Sequence, residues 1–185
     1  MSIIAIDNPY IKKGQWYKGS FHNHSEIFSV GECINSMIEA GYDFLAMSEH
    51  DQNKPECMDF ADRVVIIPGF EQSMAQRPHV VVANAWHKGI RYIVTKKDYQ
   101  DFINELNSEN AIIIMAHPHW QREDYWPEGY LEELYGYTGV EILNSSIIFD
   151  KAHLDGEYDY WDIAVDVWDK LLSSGKVVWG FGNDD

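Results

Sequence analysis

The chain is short of positive charge, short of cysteine and free of long apolar runs. Against 30 Asp and Glu stand only 14 Lys and Arg, a formal net charge of −16. That balance opposes nonspecific binding to nucleic acid or to an anionic membrane, both of which need basic surface. The two cysteines, Cys33 and Cys57, lie far apart and outside any metal-spaced pair, so reduced structural thiols in a cytoplasm are expected. No stretch of about 18 apolar residues occurs, which argues against a transmembrane helix. The start, MSIIAIDNPYIKK, has no basic opening, long apolar stretch or small-residue cleavage site, and reads as no secretory signal. There is no repeat, low-complexity segment or linker, so residues 1–185 are expected to form one domain with a substantial core.

What the sequence does have is a series of apolar runs that stop at imidazoles and carboxylates. Strands are expected at 15–22, 43–50, 64–71, 79–86, 111–117, 140–146 and 176–182. Between them lie helical patterns. Residues 31–42 place Ile34, Met37, Ile38 and Gly41 at helical spacing, and 55–63 opens on Pro55. Thr95 and Asp98 resemble a capping box that opens a helix to about residue 109, with Tyr99, Phe102, Ile103 and Leu106 on one face. Trp126-Pro127-Glu128 starts a short helix or a loop. Residues 160–175 carry an apolar stripe of Trp161, Ala164, Val165, Trp168, Leu171 and Leu172, ended by Gly175. Near-continuous apolar strands alternating with helices imply parallel strands covered on both faces. Seven of them predict an α/β fold, a distorted (β/α)7 barrel with its chemistry at the C-terminal mouth. No helix follows the last strand, so the chain reads as truncated, or its barrel is closed by something else.

The strand ends deliver the candidate ligands. His22 and His24 are two apart, and on a strand would share one face; two surface histidines are the ordinary alternative. Glu49, His50 and Asp51 end the second strand. Glu71 ends the third, where a carboxylate can bridge two cations; taken by itself, a solvent-facing loop residue is the plainer reading. His79 begins the fourth, either as a ligand turned back to the same mouth or as a half-buried structural histidine. His117 ends the fifth, fixed by Pro118, and a neutral metal-bound imidazole suits that place. His119 either touches substrate or is exposed. Asp184 and Asp185 end the last strand, where only one readily faces inward; a solvated terminus is the alternative. Glu141 and Asn144 either orient ligands or make ordinary strand-end hydrogen bonds. Histidines and carboxylates without cysteine favour Zn, Mn or Fe at a catalytic rather than a structural site.

These residues, in order along nearly the whole chain, resemble the motifs of the PHP (polymerase and histidinol phosphatase) superfamily: FHNHS, SEHD, PGFE, His79, AHP and GNDD. The segments WYKGSFHNH, GYDFLAMSEHD, GVEILN and VWGFGNDD look closest to the branch that includes a carbamate-insecticide hydrolase. The resemblance implies a distorted (β/α)7 barrel with up to three metals at its mouth. It would give His22, His24, Glu71 and Asp185 to one metal, and Glu71, His79 and His117 to a second, with Glu71 bridging. His50 would belong to a third site. The chain departs from the pattern in having Val30 near the place of an Asp or His, in ending before the His of a final Asp-x-His, and in having Glu49 for an Asp. Two metals are therefore expected to bind more firmly than a third. If the final His were the residue next after Asp185, Asp184 would be the ligand instead.

The expected activity is metal-dependent hydrolysis, foremost of phosphate esters, with a metal-bridging hydroxide as nucleophile. His50 or His119 would pass a proton to the leaving group, and Glu49 would orient His50. Arg122 would either bind an anionic substrate or lie exposed. A carboxylic ester, amide or carbamate hydrolase is the alternative, to which the aromatic cluster Trp120, Tyr125 and Trp126 would be suited. A non-catalytic metal-binding module is the rival from another class. The expected partner is a small phosphorylated ester, with no nucleic acid and no membrane; an exposed apolar flank would favour self-association.

Overall fold

The computed structural model describes residues 13–25, 28–73, 78–88, 91–120, 125–145 and 163–185. Seven strands appear in sequence order as neighbours in one sheet. They are β1 (Gly19–Ser20), β2 (Phe44–Met47), β3 (Val65–Gln72), β4 (Val80–Ala83), β5 (Ile112–Met115), β6 (Gly139–Asn144) and β7 (Trp179–Asn183). The helices are α1 (Val30–Glu39), α2 (Lys96–Asn107), α3 (Tyr130–Glu133) and α4 (Val165–Ser173), with a 3-10 helix at Pro55–Phe60. None of the described helices is long and apolar enough to cross a membrane.

The all-parallel expectation fails at one strand. β4 pairs antiparallel with both β3 and β5, and every other pairing is parallel. The chain between Gln72 and Val80 is too short for the crossover of about a dozen residues that a parallel neighbour needs. A buried strand reads as an apolar run in either direction, so only the loop length carried this signal. The reversal has a consequence for the chemistry. The first end of β4, where His79 sits, lies at the mouth formed by the last ends of its neighbours.

The sheet curls into a nearly closed barrel. Among the described residues no ladder joins β7 to β1, but side chains and loop backbone bridge the seam at the mouth. The Phe21 N–H donates to Asn183 Oδ1 at 3.0 Å, and the Asp185 N–H donates to the His22 carbonyl at 2.8 Å. Val81, Ile114 and Ala116 are fully buried and pack with Phe21, Ile112 and Phe181 in one small cluster. Strand alternation turns Val80, Val82, Ile113 and Met115 the other way, into the largest cluster with α2.

α2 behaves as its pattern requires. Thr95 and Asp98 form a reciprocal capping box, and Tyr99, Phe102, Ile103 and Leu106 are all buried. Burying each of these side chains contributes about 1.5–3 kcal/mol relative to water. α1 is capped the same way by Ser29 and Glu32, a capping box three residues apart that the apolar spacing of the helix does not reveal. The last stripe is only partly buried: Ala164 and Leu171 are inside, while Val165 and Leu172 are largely exposed. Trp161 lies outside the described residues.

Candidate metal centre

The mouth begins with the turn after β1. Asn23, between the two histidines, is fixed by β2: its Nδ2 donates to the Ala46 carbonyl at 2.7 Å, and its N–H donates to Ser48 Oγ at 3.0 Å. With Asn23 held inside, His22 and His24 are both brought to the centre, and their Nε2 atoms stand 3.1 Å apart. β3 stays paired with the chain beyond the end of β2 through a bridge between His50 and Glu71. That register sets His50 Nδ1 2.7 Å from Glu71 Oε2. On the other side of the carboxylate, Glu71 Oε1 lies 2.8 Å from His79 Nδ1 and 3.1 Å from His117 Nε2.

Glu71 is the hub. It is fully buried, and five imidazoles approach it. Oε1 faces His22, His79 and His117, and Oε2 faces His24 and His50. Oε2 accepts no aligned hydrogen bond among the described residues, despite the short approach of His50. Asp185 closes the group, with Oδ1 3.1 Å from His22 Nε2 and 3.0 Å from His24 Nε2.

Donor atoms gather in three sets: His22, Glu71 and His117; His22, His24 and Asp185; and His24, His50 and Glu71. The separations of 3.0–3.4 Å among His22, His24, Glu71 and Asp185 match the edges of a coordination shell. Bonds of ~2.1 Å give tetrahedral or octahedral edges of ~2.9–3.4 Å.

Counting protons gives the same answer. Glu141 Oε1 is 3.1 Å from His22 Nδ1 and takes the proton of a neutral ring. His22 Nε2 is then a lone pair aimed at two carboxylate oxygens and another imidazole nitrogen. Acceptors so arranged need a cation among them. Burial lowers the pKa of His22, yet Asp185, Glu141 and Glu71 outweigh it and hold the ring well above its ordinary value. Burial also opposes charge on His24, but Asp185, Glu49 and Glu71 push it to about 11. Burial would raise Glu71 and Asp185, and the surrounding imidazoles, His22 foremost, hold both far below the usual carboxylate range. His79 differs: burial wins over Glu71, its pKa falls, and the ring stays neutral. The centre is built for concentrated positive charge, as protons or as metal ions.

Around the cluster sits a supporting network. Each oxygen of Glu141 has two partners. Oε1 meets His22 Nδ1 and Asn183 Nδ2, while Oε2 accepts from the His117 N–H at 2.9 Å and Asn144 Nδ2 at 3.1 Å. Asn144 Nδ2 also donates to Asp185 Oδ2 at 2.6 Å. Of the two readings left open for Glu141 and Asn144, the orienting one fits this geometry. Asn183 escaped notice because a polar residue near a strand end carries no periodic signal. His117 has φ of 24° and Asp185 of 58°. Left-handed backbone is costly for residues other than glycine, and it concentrates where side chains must be aimed.

Three sequence-based roles change. Glu49 does not orient His50. Its Oε1 accepts from the Ser25 N–H at 2.7 Å and from the Ser25 hydroxyl, and Oε2 lies 3.8 Å from His24 Nδ1. Neighbouring residues on an extended chain point to opposite sides, so Glu49 and His50 part company. Burial opposes its charge, yet His24 and Ser25 bring Glu49 down to about 2. Asp184 turns away from the cluster, and its Oδ2 accepts from the Tyr42 hydroxyl at 2.6 Å. His119 also stands apart, its Nε2 3.0 Å from Asp166 Oδ1 on α4. Trp120 and Tyr125 pack against the rings of His79 and His117, with centroids 5.1–6.0 Å apart. They brace imidazoles, so the aromatic cluster is no argument for an apolar substrate. Arg122 lies outside the described residues.

No family model matches the chain, and no curated protein matches it by sequence. Among solved structures it is similar to a two-domain protein from Bacteroides vulgatus that contains a predicted PHP-like metal-dependent phosphoesterase. The TM-score is 0.63 at 19% identity, over 91% of this chain and 51% of the neighbour. The chain thus spans about half the length of that protein. At this identity the likeness concerns the fold: a mixed, nearly closed barrel with helices.

Proposed function

We propose that the chain is a metal-dependent hydrolase of the PHP type, acting on phosphate esters. The observation that carries this is Glu71, a buried carboxylate with imidazoles on both oxygens and, among the described residues, no aligned donor to Oε2. A carboxylate with imidazoles on both oxygens can bridge two ions, and an oxygen short of aligned donors is open to a cation. His22, His24 and Asp185 would hold one ion with Glu71, and His79 and His117 a second. His50 would share a third with His24. Divalent ions held there would supply an activated water and offset negative charge on the phosphate oxygens. Imidazole and carboxylate ligands without thiolate suit Zn, Mn or Fe.

The chain's own residues do the rest. Glu141 holds Nδ1 of His22, so Nε2 is presented inward, and Glu49, held by Ser25, places a carboxylate oxygen 3.8 Å from His24 Nδ1. His50 is the most open of the clustered imidazoles, with its side chain 41% exposed. With two ions bound and the third place empty, it is the group best able to meet a bound ester and give a proton to the leaving oxygen. The Bacteroides neighbour supports the reading at the level of fold.

Metal analysis after reconstitution with Zn or Mn, followed by assay on bis(4-nitrophenyl) phosphate and on 4-nitrophenyl acetate, tests the proposal. Two or more ions per chain and chelator-sensitive phosphate ester cleavage are expected. A chain that takes up no metal, or that cleaves only the acetate, overturns it.

A further inference from the structure

Asp51 follows His50 directly, and none of the three donor sets includes it. Its backbone is left-handed, with φ of 52°. Aspartate tolerates that conformation better than most residues, and here it carries a side chain that reaches back to the end of β3. Asp51 Oδ1 accepts from Gln72 Nε2 at 2.8 Å and from the Ser73 N–H at 3.0 Å. Oδ2 accepts from the Ser73 hydroxyl at 2.7 Å. The backbone joins in. The Asp51 N–H donates to the Glu71 carbonyl at 2.7 Å, and the Glu71 N–H donates to the Glu49 carbonyl at 3.0 Å. Residues 49–51 are thus tied to residues 71–73 on both sides of His50 and Glu71.

The clamp bears on His50. The ring of His50 lies against those of His24 and His79, with centroids 4.6 and 5.4 Å apart, and its outer side is open to solvent. A side chain that open is aimed by its backbone more than by packing. Glu49 and Asp51 fix that backbone from either side, and the register they set places His50 Nδ1 2.7 Å from Glu71 Oε2. The Asp51 carboxylate is itself engaged on both oxygens by an amide, a backbone N–H and a hydroxyl. It is a satisfied acceptor, so it serves the centre through its neighbour and not as a ligand.

We propose that Asp51 is a positioning residue, which holds the His50 imidazole where it can give a proton to the leaving oxygen of a bound ester. The proton transfer rests on the hydrolase reading; the hold on the ring does not. In that step water's oxygen bonds to phosphorus and gives up a proton. The bond from phosphorus to the leaving oxygen breaks, and that oxygen takes a proton from His50, which the ring regains from solvent. Such help matters most when the leaving oxygen is strongly basic.

Zn-loaded protein assayed on diphenyl phosphate and on bis(4-nitrophenyl) phosphate tests this. Diphenyl phosphate has the more basic leaving oxygen. Asp51→Ala is expected to lower kcat on it about tenfold or more with little change in KM, and on the nitrophenyl ester about twofold at most. In a His50→Ala background the same substitution should cost about twofold at most on either ester. Asp51→Asn keeps one acceptor oxygen and tolerates the same backbone, so it should fall between the parent and Asp51→Ala. A second readout needs no turnover. In NMR of protein labelled at its histidine rings, the His50 signal is identified by its loss in His50→Ala. It should move in Asp51→Ala while the signals of His22, His24, His79 and His117 stay. Equal losses on the two esters, an undiminished loss in the His50→Ala background, an unmoved His50 signal, or movement of all the clustered rings together overturns the proposal. A His50 signal that moves alone in a protein that cleaves no ester removes the hydrolase reading and leaves the hold on the ring standing. Ester cleavage with an unmoved His50 signal does the reverse.

Discussion

Glu71 and Glu141 lie buried at the same mouth, and they are opposite kinds of carboxylate. Glu141, 1% exposed, is satisfied by the Asn144 and Asn183 amides, the His117 N–H and His22 Nδ1. Glu71, fully buried, faces imidazole nitrogens and, among the described residues, has an oxygen with no aligned donor. A buried charge is tolerated when it is paired and hydrogen-bonded. Glu141 obtains this from the chain itself. Glu71 obtains it only when cations, protonic or metallic, are present. The lesson is that burial alone does not mark a functional carboxylate; the shortage of donors does.

Replacing the hub gives the largest effect. In Glu71→Gln one oxygen becomes an amide nitrogen, which cannot bridge ions. Metal content should fall from about two ions per chain toward none, and phosphate ester cleavage to background. Far-UV circular dichroism should be retained, because the strands are anchored elsewhere. Metal content and turnover equal to the parent would erase the distinction between the two carboxylates.

Glu141→Gln tests the other side and should behave differently. The amide nitrogen would confront the donors that Glu141 now accepts, costing about 1–3 kcal/mol of stability. His22 would lose the partner that fixes its ring, so metal affinity should fall about 10–100-fold rather than vanish. Denaturation midpoints and metal titration separate these losses. If Glu141→Gln loses metal as completely as Glu71→Gln, Glu141 is itself part of the metal-holding set.

Protons and metals compete for the hub, which makes a pH prediction. In the metal-free protein His24 is raised to about 11, with burial opposing and Asp185, Glu49 and Glu71 prevailing. A raised pKa contributes stability that is complete below the unfolded value of about 6.5 and is lost as pH rises through the folded value. The metal-free melting temperature should therefore decline from neutral pH toward pH 11. Metal-loaded protein should decline less, because ions have replaced the protons. Parallel curves with and without metal would mean that the two are not alternatives at this centre.

Much of this arrangement was legible in the sequence, for a physical reason. A buried strand is an apolar run, and polar groups at its end are costly unless they have work to do. His22, His24, His50, Glu71, His79, His117 and Asp185 were picked out that way, and the fold gathers them. The direction of β4 was not legible from its composition, because Val80–Ala83 would look the same either way; only the short loop before it spoke. Nor were the partners of Glu49, Asp184 and His119, which depend on how a chain turns after its strand ends. Asn23 and Asn183 were missed because single amides that tie loops to neighbouring strands have no spacing to follow.

The smallest expected effect belongs to Asp184, beside Asp185 in sequence and opposite in task. The Tyr42 hydroxyl donates to Asp184, and Tyr42 is raised to about 12 by burial first and by Asp184 second. Its contribution to stability is complete below the unfolded tyrosine value of about 10 and is lost as pH climbs through 12. Asp184→Asn removes the carboxylate charge and leaves the burial, so the Tyr42 pKa should fall part-way toward its ordinary value in an ultraviolet titration. Solvent screening keeps the stability cost to about 1 kcal/mol or less. Metal content should not change, whereas Asp185→Asn should lower it. Loss of metal in Asp184→Asn with none in Asp185→Asn would reverse the assignment, because only the carboxylate that faces His22 and His24 can serve an ion held between them.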